Sequence, residues 1–344
     1  MKSKIWFFVF FWCSMFFIIG SGQLNYIVDP FSVTGNNILA IPLKIVSDDR
    51  SEKVVAINNM NKIDNILLGS SRVYLMNPLA LNKYLDGVTY NLGVGTAQTE
   101  DHLGYLLHLE KINKFPKTVI LGLDFYSFND NLETNKYFIR NETINFLNEN
   151  SADLQDIGQF FSIDTTRASI KTLKSFLGVK KSKRRFDEHG ASGDASAIFE
   201  YFPVDDEGID IYARDIQREA SNFLRQPPFT RLNDRRFGYL KKVIELTERH
   251  GATLKVFITP LYGRLLDDIY ADELLSKRLQ EFKKELLSIT DYYDFLMPNT
   301  VTDDAAYFSD TSHLKTTTAN LIFARIFNDR DVEVPEDFGV YRQK

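Results

Sequence analysis

The sequence predicts an α/β protein whose core is a parallel sheet of about five strands, with helices on both faces. Three observations carry that prediction. Short apolar runs alternate with longer segments whose apolar positions recur at helical spacing, the pattern of consecutive βαβ units. Most of these runs stop at a glycine or a polar residue, where a strand gives way to a loop. With 44% hydrophobic and 25% charged residues over 344 positions, the chain can also bury the core of one large domain or two small ones.

The first element stands apart. Lys2 and Lys4 precede an uncharged run from Ile5 to Ile19. The run has no polar face, unlike a surface helix of a soluble domain, and residues 1–22 read as a membrane anchor or signal segment. Gly20, Ser21 and Gly22 offer small residues for cleavage. The bulky Trp and Phe content and the uncharged continuation from Gln23 to Val28 favour retention as a transmembrane segment. Basic residues before the run and none soon after it put the N-terminus inside and the body outside. The one cysteine, Cys13, lies within this run and follows no lipoprotein-type box, so the body has neither disulfide nor thiolate metal site.

Residues 23–62 show little periodicity and read as a stalk; the main domain is expected over 63–330 and a C-terminal tail over 331–344. Strands are expected at 63–68, 87–91, 117–121, 253–258 and 292–296. Helices are expected at 99–113, with Leu103, Leu106, Leu107 and Ile112 at helical spacing, and at 234–250, closed by Gly251. Two more follow at 271–289 and 316–327. Residues 130–230 break the rhythm with a polar stretch that includes a loop at 190–194 and Pro227-Pro228. Because the βα rhythm resumes afterwards, this stretch reads as a helical insertion.

Net charge is −5, which argues against a general nucleic-acid binder. Four strand-end or loop segments would meet on one rim of such a sheet. They are Gly69-Ser70-Ser71-Arg72, Asn91-Leu92-Gly93-Val94-Gly95, Gly122-Leu123-Asp124 and Ser309-Asp310-Thr311-Ser312-His313. In order and spacing this set resembles the SGNH, or GDSL-type, hydrolase superfamily, whose blocks are Gly-Asp-Ser, Gly, Gly-x-Asn and Asp-x-x-His. The resemblance covers about residues 65–330 without the insertion. It implies a flavodoxin-like, doubly wound parallel sheet and a catalytic triad of Ser71, His313 and Asp310. A serine hydroxyl needs an imidazole to take its proton, and the imidazole needs a carboxylate to orient it. Asp310 and His313, three apart, lie on one side of a turn. Ser70 occupies the Asp position of the first block, so Ser71 is assigned by alignment and not by chemistry. Plainer readings exist: Gly-Ser-Ser as a helix cap, Asp310 as the cap of the last helix, and His313 in a local hydrogen bond.

Two departures from the superfamily matter. Asp124 replaces the Asn that donates to the oxyanion, and an ionised carboxylate cannot donate. Asp124 is then structural, or it holds Arg72, or the oxyanion rests on backbone N–H groups of Ser71 and Gly93 or Gly95. Arg72 itself stands where secreted esterases of the superfamily carry an apolar residue. Both departures point to the superfamily's membrane-anchored branch, similar to the D-alanyl-transfer protein of teichoic acid modification and to alginate O-acetylation proteins. That branch implies an extracytoplasmic enzyme of the cell membrane that transfers or removes an acyl group on a cell-envelope polysaccharide. It also implies a membrane-bound acyltransferase as partner. The competing readings are a secreted carbohydrate esterase acting alone and a catalytically silent module that binds polymer or partner.

No cofactor is expected, and His102, His108, His189 and His250 show no metal-ligand spacing. The basic run from Lys180 to Arg185 reads as a solvated loop or as a contact for lipid phosphates or an anionic polymer. Phe125, Tyr126 and Tyr262 are core candidates, with a sugar-stacking surface as the alternative. The N-terminal reading predicts retention in the membrane fraction with the body accessible from outside, checked by fractionation and external proteolysis. Recovery of a soluble protein beginning near Gln23 would instead identify a cleaved signal.

Overall fold

The computed structural model describes residues 2–30, 38–41, 49–134, 160–178, 186–192 and 227–344. The chain divides into two compact units, one of Met1–Val55 with Asn135–Arg184 and one of Ala56–Thr134 with Arg185–Lys344. Most of the expected insertion, including the basic run at 180–185, lies outside the described residues.

In chain order the elements are α1 Lys2–Val28, α2 Asp49–Asn59, β1 Asn65–Leu68, α3 Ser71–Tyr74, β2 Thr89–Asn91, α4 Thr99–Lys111 and β3 Thr118–Leu123. There follow α5 Ile163–Phe176, α6 Asp234–Arg249, β4 Thr253–Ile258, α7 Gly263–Ala271 and α8 Glu273–Ile289. The chain closes with β5 Tyr292–Asp294, α9 Thr316–Ile326 and β6 Val340–Arg342.

In the first unit, α1 runs well past the expected boundary at residue 22 and into the stretch read as a stalk. Its segment Lys4–Val28 is long and apolar enough to cross a membrane, a property it shares with signal sequences. Its 25 residues make a rod of roughly 38 Å, against about 30 Å of bilayer hydrocarbon. Among the described residues this unit also holds most of α2 and, from the expected insertion, α5.

The second unit is the α/β body. Its sheet has six strands in the order β2-β1-β3-β4-β5-β6; the first five are parallel and β6 pairs antiparallel with β5. All residues of β1 and β3 are buried, so both sheet faces are covered, which is why these strands are continuous apolar runs without alternation. On one face Leu67, Ile120, Phe257 and Phe295 pack with Ile322 and Phe323 of α9. Strand order reverses at β1: the chain steps out to β2, then crosses back to β3. The gap beyond the carboxyl ends of β1 and β3 is therefore the switch point, where open α/β sheets place their ligands.

The expected all-parallel sheet and the expected C-terminal tail needed correction. The sheet is mixed and has a sixth strand, because the segment read as a C-terminal tail returns to the sheet edge. Phe338 is fully buried against Phe295, Gly339 makes the turn at φ 82°, and Tyr341 packs on Tyr293. The helix expected over 271–289 is found as α8, which starts where the Asp272 carboxylate accepts from Leu275 N–H at 3.1 Å, and a further helix, α7, precedes it. The loop after β3 is pinned by Arg236, fully buried. Its guanidinium pairs with Glu100 at 3.2 Å and donates to the carbonyls of Ser127, Asn129 and Leu132.

His108 on α4 is buried, its Nε2 2.6 Å from Asn58 Oδ1. Burial, then the charges of Lys111 and Lys114, pull its pKa down to about 4 from an ordinary 6.5. The unfolded chain thus takes up this proton more readily than the folded one. The stability this contributes is complete above 6.5 and is lost as pH falls toward about 4. Urea unfolding at about pH 7 and about pH 4.5 should show the loss, and His108→Gln should shrink the difference between the two.

Candidate active site

The first residues of the site follow β1 directly. Gly69 brings the chain close to the next turn: a Cβ there would meet Val73 Cγ2 at 2.2 Å. Ser70 then caps α3, its hydroxyl accepting from Arg72 N–H at 3.2 Å while its carbonyl accepts from Val73 and Tyr74. Ser70 is buried, and its neighbour Ser71, the first residue of α3, is only half-buried. Cap geometry thus separates two adjacent hydroxyls that the sequence leaves chemically alike.

His313 and Asp310 come from a tight loop ahead of α9. Phe308 and Leu314 bridge its base, and Ser309 N–H donates to the His313 carbonyl at 2.8 Å. Inside the loop, Asp310 Oδ1 accepts from the N–H groups of Ser312 and His313, each at 2.8 Å. Asp310 does not cap α9, which starts after Lys315. Its other oxygen, Oδ2, lies 2.7 Å from His313 Nδ1. A carboxylate only accepts, so Nδ1 carries the proton and Nε2 is left as acceptor. Ser71 Oγ lies 2.8 Å from that Nε2 and donates to it. Burial alone would raise the Asp310 carboxyl, but the imidazole and the two backbone N–H groups outweigh it and hold the pKa below the ordinary carboxylate value. The orienting group therefore stays ionised.

Asp124 ends β3 beside this chain of contacts. It is buried and its Oδ1 accepts from Arg72 Nη1 at 2.9 Å and from the Thr259 hydroxyl, which follows β4. Asp124 thus holds Arg72, one of the arrangements the sequence leaves open. Arg72 also donates through Nε to the Ser312 carbonyl at 2.8 Å, and its guanidinium lies 5.2 Å from the Tyr126 ring centre. Burial first, then the Asp124 charge, push the Tyr126 hydroxyl well above its ordinary pKa. Tyr126, Phe125 and Tyr262 are all buried, so they serve the core and not a sugar-stacking surface.

The two glycines expected near an oxyanion behave differently. Gly93 N–H donates to Asn91 Oδ1 at 2.8 Å and is committed there. Gly93 is instead a packing position, because a Cβ would meet Tyr74 N at 2.6 Å. Gly95 is half-buried, two residues further along the same loop. Asn91, grouped by sequence with the rim segments but given no role there, is fully buried and donates to the carbonyls of Val73 and Met76 at 2.8 and 2.9 Å. It ties the end of β2 to the segment after the serine. Its position, a polar residue closing an apolar strand two before a glycine, was the available signal for it. Thr259, at the matching end of β4, carried a similar one.

Among the described residues, no group of three His, Cys, Asp or Glu side chains is arranged to hold a metal ion. In comparisons with known proteins, no family model and no curated sequence matches the chain.

The Arg72–Asp124 pair is buried, so removing one partner strands the other charge. Asp124→Asn should cost about 3–5 kcal/mol of stability, measured by chemical denaturation. Arg72→Lys should also destabilise, because one ammonium cannot reproduce a fork that reaches Asp124 and the Ser312 carbonyl together.

Proposed function

We propose that the chain is an SGNH-like serine acyl-ester enzyme, an O-acyltransferase or esterase that acts outside the cytoplasm on a cell-envelope polysaccharide. The observation that carries this reading is the continuous relay from Ser71 Oγ through His313 to Asp310, at 2.8 and 2.7 Å. The strand order of the five parallel strands, 2-1-3-4-5, agrees with the flavodoxin-like sheet of that superfamily. The apolar α1 agrees with a membrane-held protein.

The chemistry follows from the geometry. Ser71 Oγ attacks the carbonyl carbon of an acyl ester while His313 Nε2 takes the hydroxyl proton. Asp310, kept ionised, stabilises the imidazolium that results. The tetrahedral adduct collapses, the ester C–O bond breaks, and His313 returns the proton to the departing alcohol. An acceptor hydroxyl, or water in an esterase, is then deprotonated by His313 and attacks the acyl-Ser71 carbonyl. The new ester, or the free acid, leaves and Ser71 recovers its proton. The developing oxyanion is assigned to the Ser71 N–H, the first-turn amide that neither the hydroxyl nor the carbonyl of Ser70 accepts from. Asp124 opposes that oxyanion less than a free carboxylate would, because its charge is matched by Arg72.

Turnover of an activated acetyl ester and labelling by a fluorophosphonate probe test the reading on the full-length protein in detergent. Ser71→Ala and His313→Ala should each cost on the order of 10⁶-fold, and the double variant no more than either. Asp310→Asn should cost about 10⁴-fold, because the amide favours the wrong tautomer. Ser70→Ala should keep turnover while losing about 1 kcal/mol of stability with its cap. Full activity of Ser71→Ala removes the nucleophile, and an unlabelled native protein leaves a silent binding module as the better account.

A further inference from the structure

Helix α5 is built inside out. At 100° per residue its buried positions Thr165, Ser169 and Thr172 fall on one face and are 3%, 0% and 0% exposed. All three are small and polar. The opposite side carries Ile163, Ile170 and Leu177, one every seven residues, at 69%, 43% and 71% exposed. A helix in contact with water does the reverse, turning its apolar stripe inward.

What the polar face packs on explains the inversion. Asn25 of α1 is fully buried; its Nδ2 donates to the Phe160 carbonyl and to Thr166 Oγ1, and its Oδ1 accepts from Ser169 Oγ at 2.8 Å. Gly22 lets the two segments approach, since a Cβ there would meet the Phe161 ring at 2.6 Å. Small residues and interhelical hydrogen bonds are how helices associate where the surroundings are as apolar as the side chains. The contact lies at the C-terminal end of the apolar run of α1, where Tyr26 meets Phe160 edge-on with ring centres 5.8 Å apart. Aromatic residues collect at that level of a bilayer.

We propose that α5 lies in the outer interface of the membrane, with Ile163, Ile170 and Leu177 in the acyl-chain boundary. This rests on the reading of α1 as a membrane span. At 14 residues, roughly 21 Å, α5 is too short to cross. Exposed Lys171 and Lys174 flank the apolar stripe on one side, placed for lipid phosphates, with their apolar stems along the interface, and Arg167 beside them pairs with Asp164 at 3.3 Å. The occupant is therefore a lipid leaflet, preferably an anionic one, and not a second protein, for which a cationic flank beside three apolar side chains spaced seven residues apart gives no particular match.

Single cysteines in a Cys13→Ser background test this on the full chain, because Cys13 is the one native cysteine. Cysteines replacing Ile163, Ile170, Leu177 and, as controls, Asp164 and Glu285 are labelled with an environment-sensitive nitrobenzoxadiazole dye. The protein is reconstituted in phosphatidylcholine–phosphatidylglycerol vesicles with or without doxyl-labelled lipid. The expected result is blue-shifted emission and doxyl quenching at the three apolar positions, neither at the controls, and weaker quenching in Lys171→Gln/Lys174→Gln or without phosphatidylglycerol. Water-like emission at all five sites in a chain that floats with the vesicles overturns the proposal alone. Shielding without doxyl quenching overturns it too, in favour of a protein partner. A chain that does not float removes the α1 span, and this proposal with it.

Discussion

The arrangement of the candidate site depends on one buried cation. Arg72 sits next to the serine in sequence, yet its guanidinium reaches Asp124 at the end of β3 and the Ser312 carbonyl in the loop before α9. Three segments far apart in the chain are thereby referred to one planar group. The desolvation cost of burying a guanidinium is large, and it is offset only while its acceptors stay in place. That requirement makes the geometry nearly all-or-none. A loop that drifted would take from the buried guanidinium the Ser312 carbonyl it donates to, which favours the state in which His313 faces Ser71.

Around that cation, further hydrogen bonds set the finer distances. Asn91 uses its amide nitrogen to hold the end of β2 to Val73 in α3 and to Met76 after it, and its amide oxygen to fix Gly93 within the β2 loop. Asp310 uses one oxygen to shape its own loop and the other to orient the imidazole. The same residue thus both shapes the loop and orients the imidazole, and this is why a three-residue spacing suffices to bring the two side chains together. Ser70 does comparable work on the other side, fixing the first turn of α3 so that the hydroxyl of the next residue stays clear of the helix.

Much of this was legible in the chain. The strands and most helices are found close to where periodicity put them, because a sheet covered on both faces demands unbroken apolar runs that few other structures require. The Ser71, Asp310 and His313 assignment came from order and spacing, and the three residues do meet. Local signals failed where a distant partner decides. Nothing near Val340 announces a strand; it forms because β5 offers an open edge and Phe338 finds a buried place beside Phe295. The commitment of Gly93 N–H to Asn91, and the choice of Asp124 to pair with Arg72, are likewise fixed by three-dimensional neighbours. The inverted faces of α5 were hidden for a different reason: a pattern that reads as an ordinary amphipathic helix does not say which of its faces meets solvent.

The contact between Ser71 and His313 joins positions 242 residues apart. A chain is made from its N-terminus, so the serine leaves the ribosome long before the histidine exists. At roughly 5–20 residues per second the interval is on the order of 10–50 seconds. During that time Ser71 is an ordinary alcohol, with no base to activate it and no loop for Arg72 to hold. On the proposed reading, timing thus acts as a safeguard: an acyl-transferring group that would be hazardous among the esters of the cell interior acquires its reactivity only after the segment carrying His313 has been made.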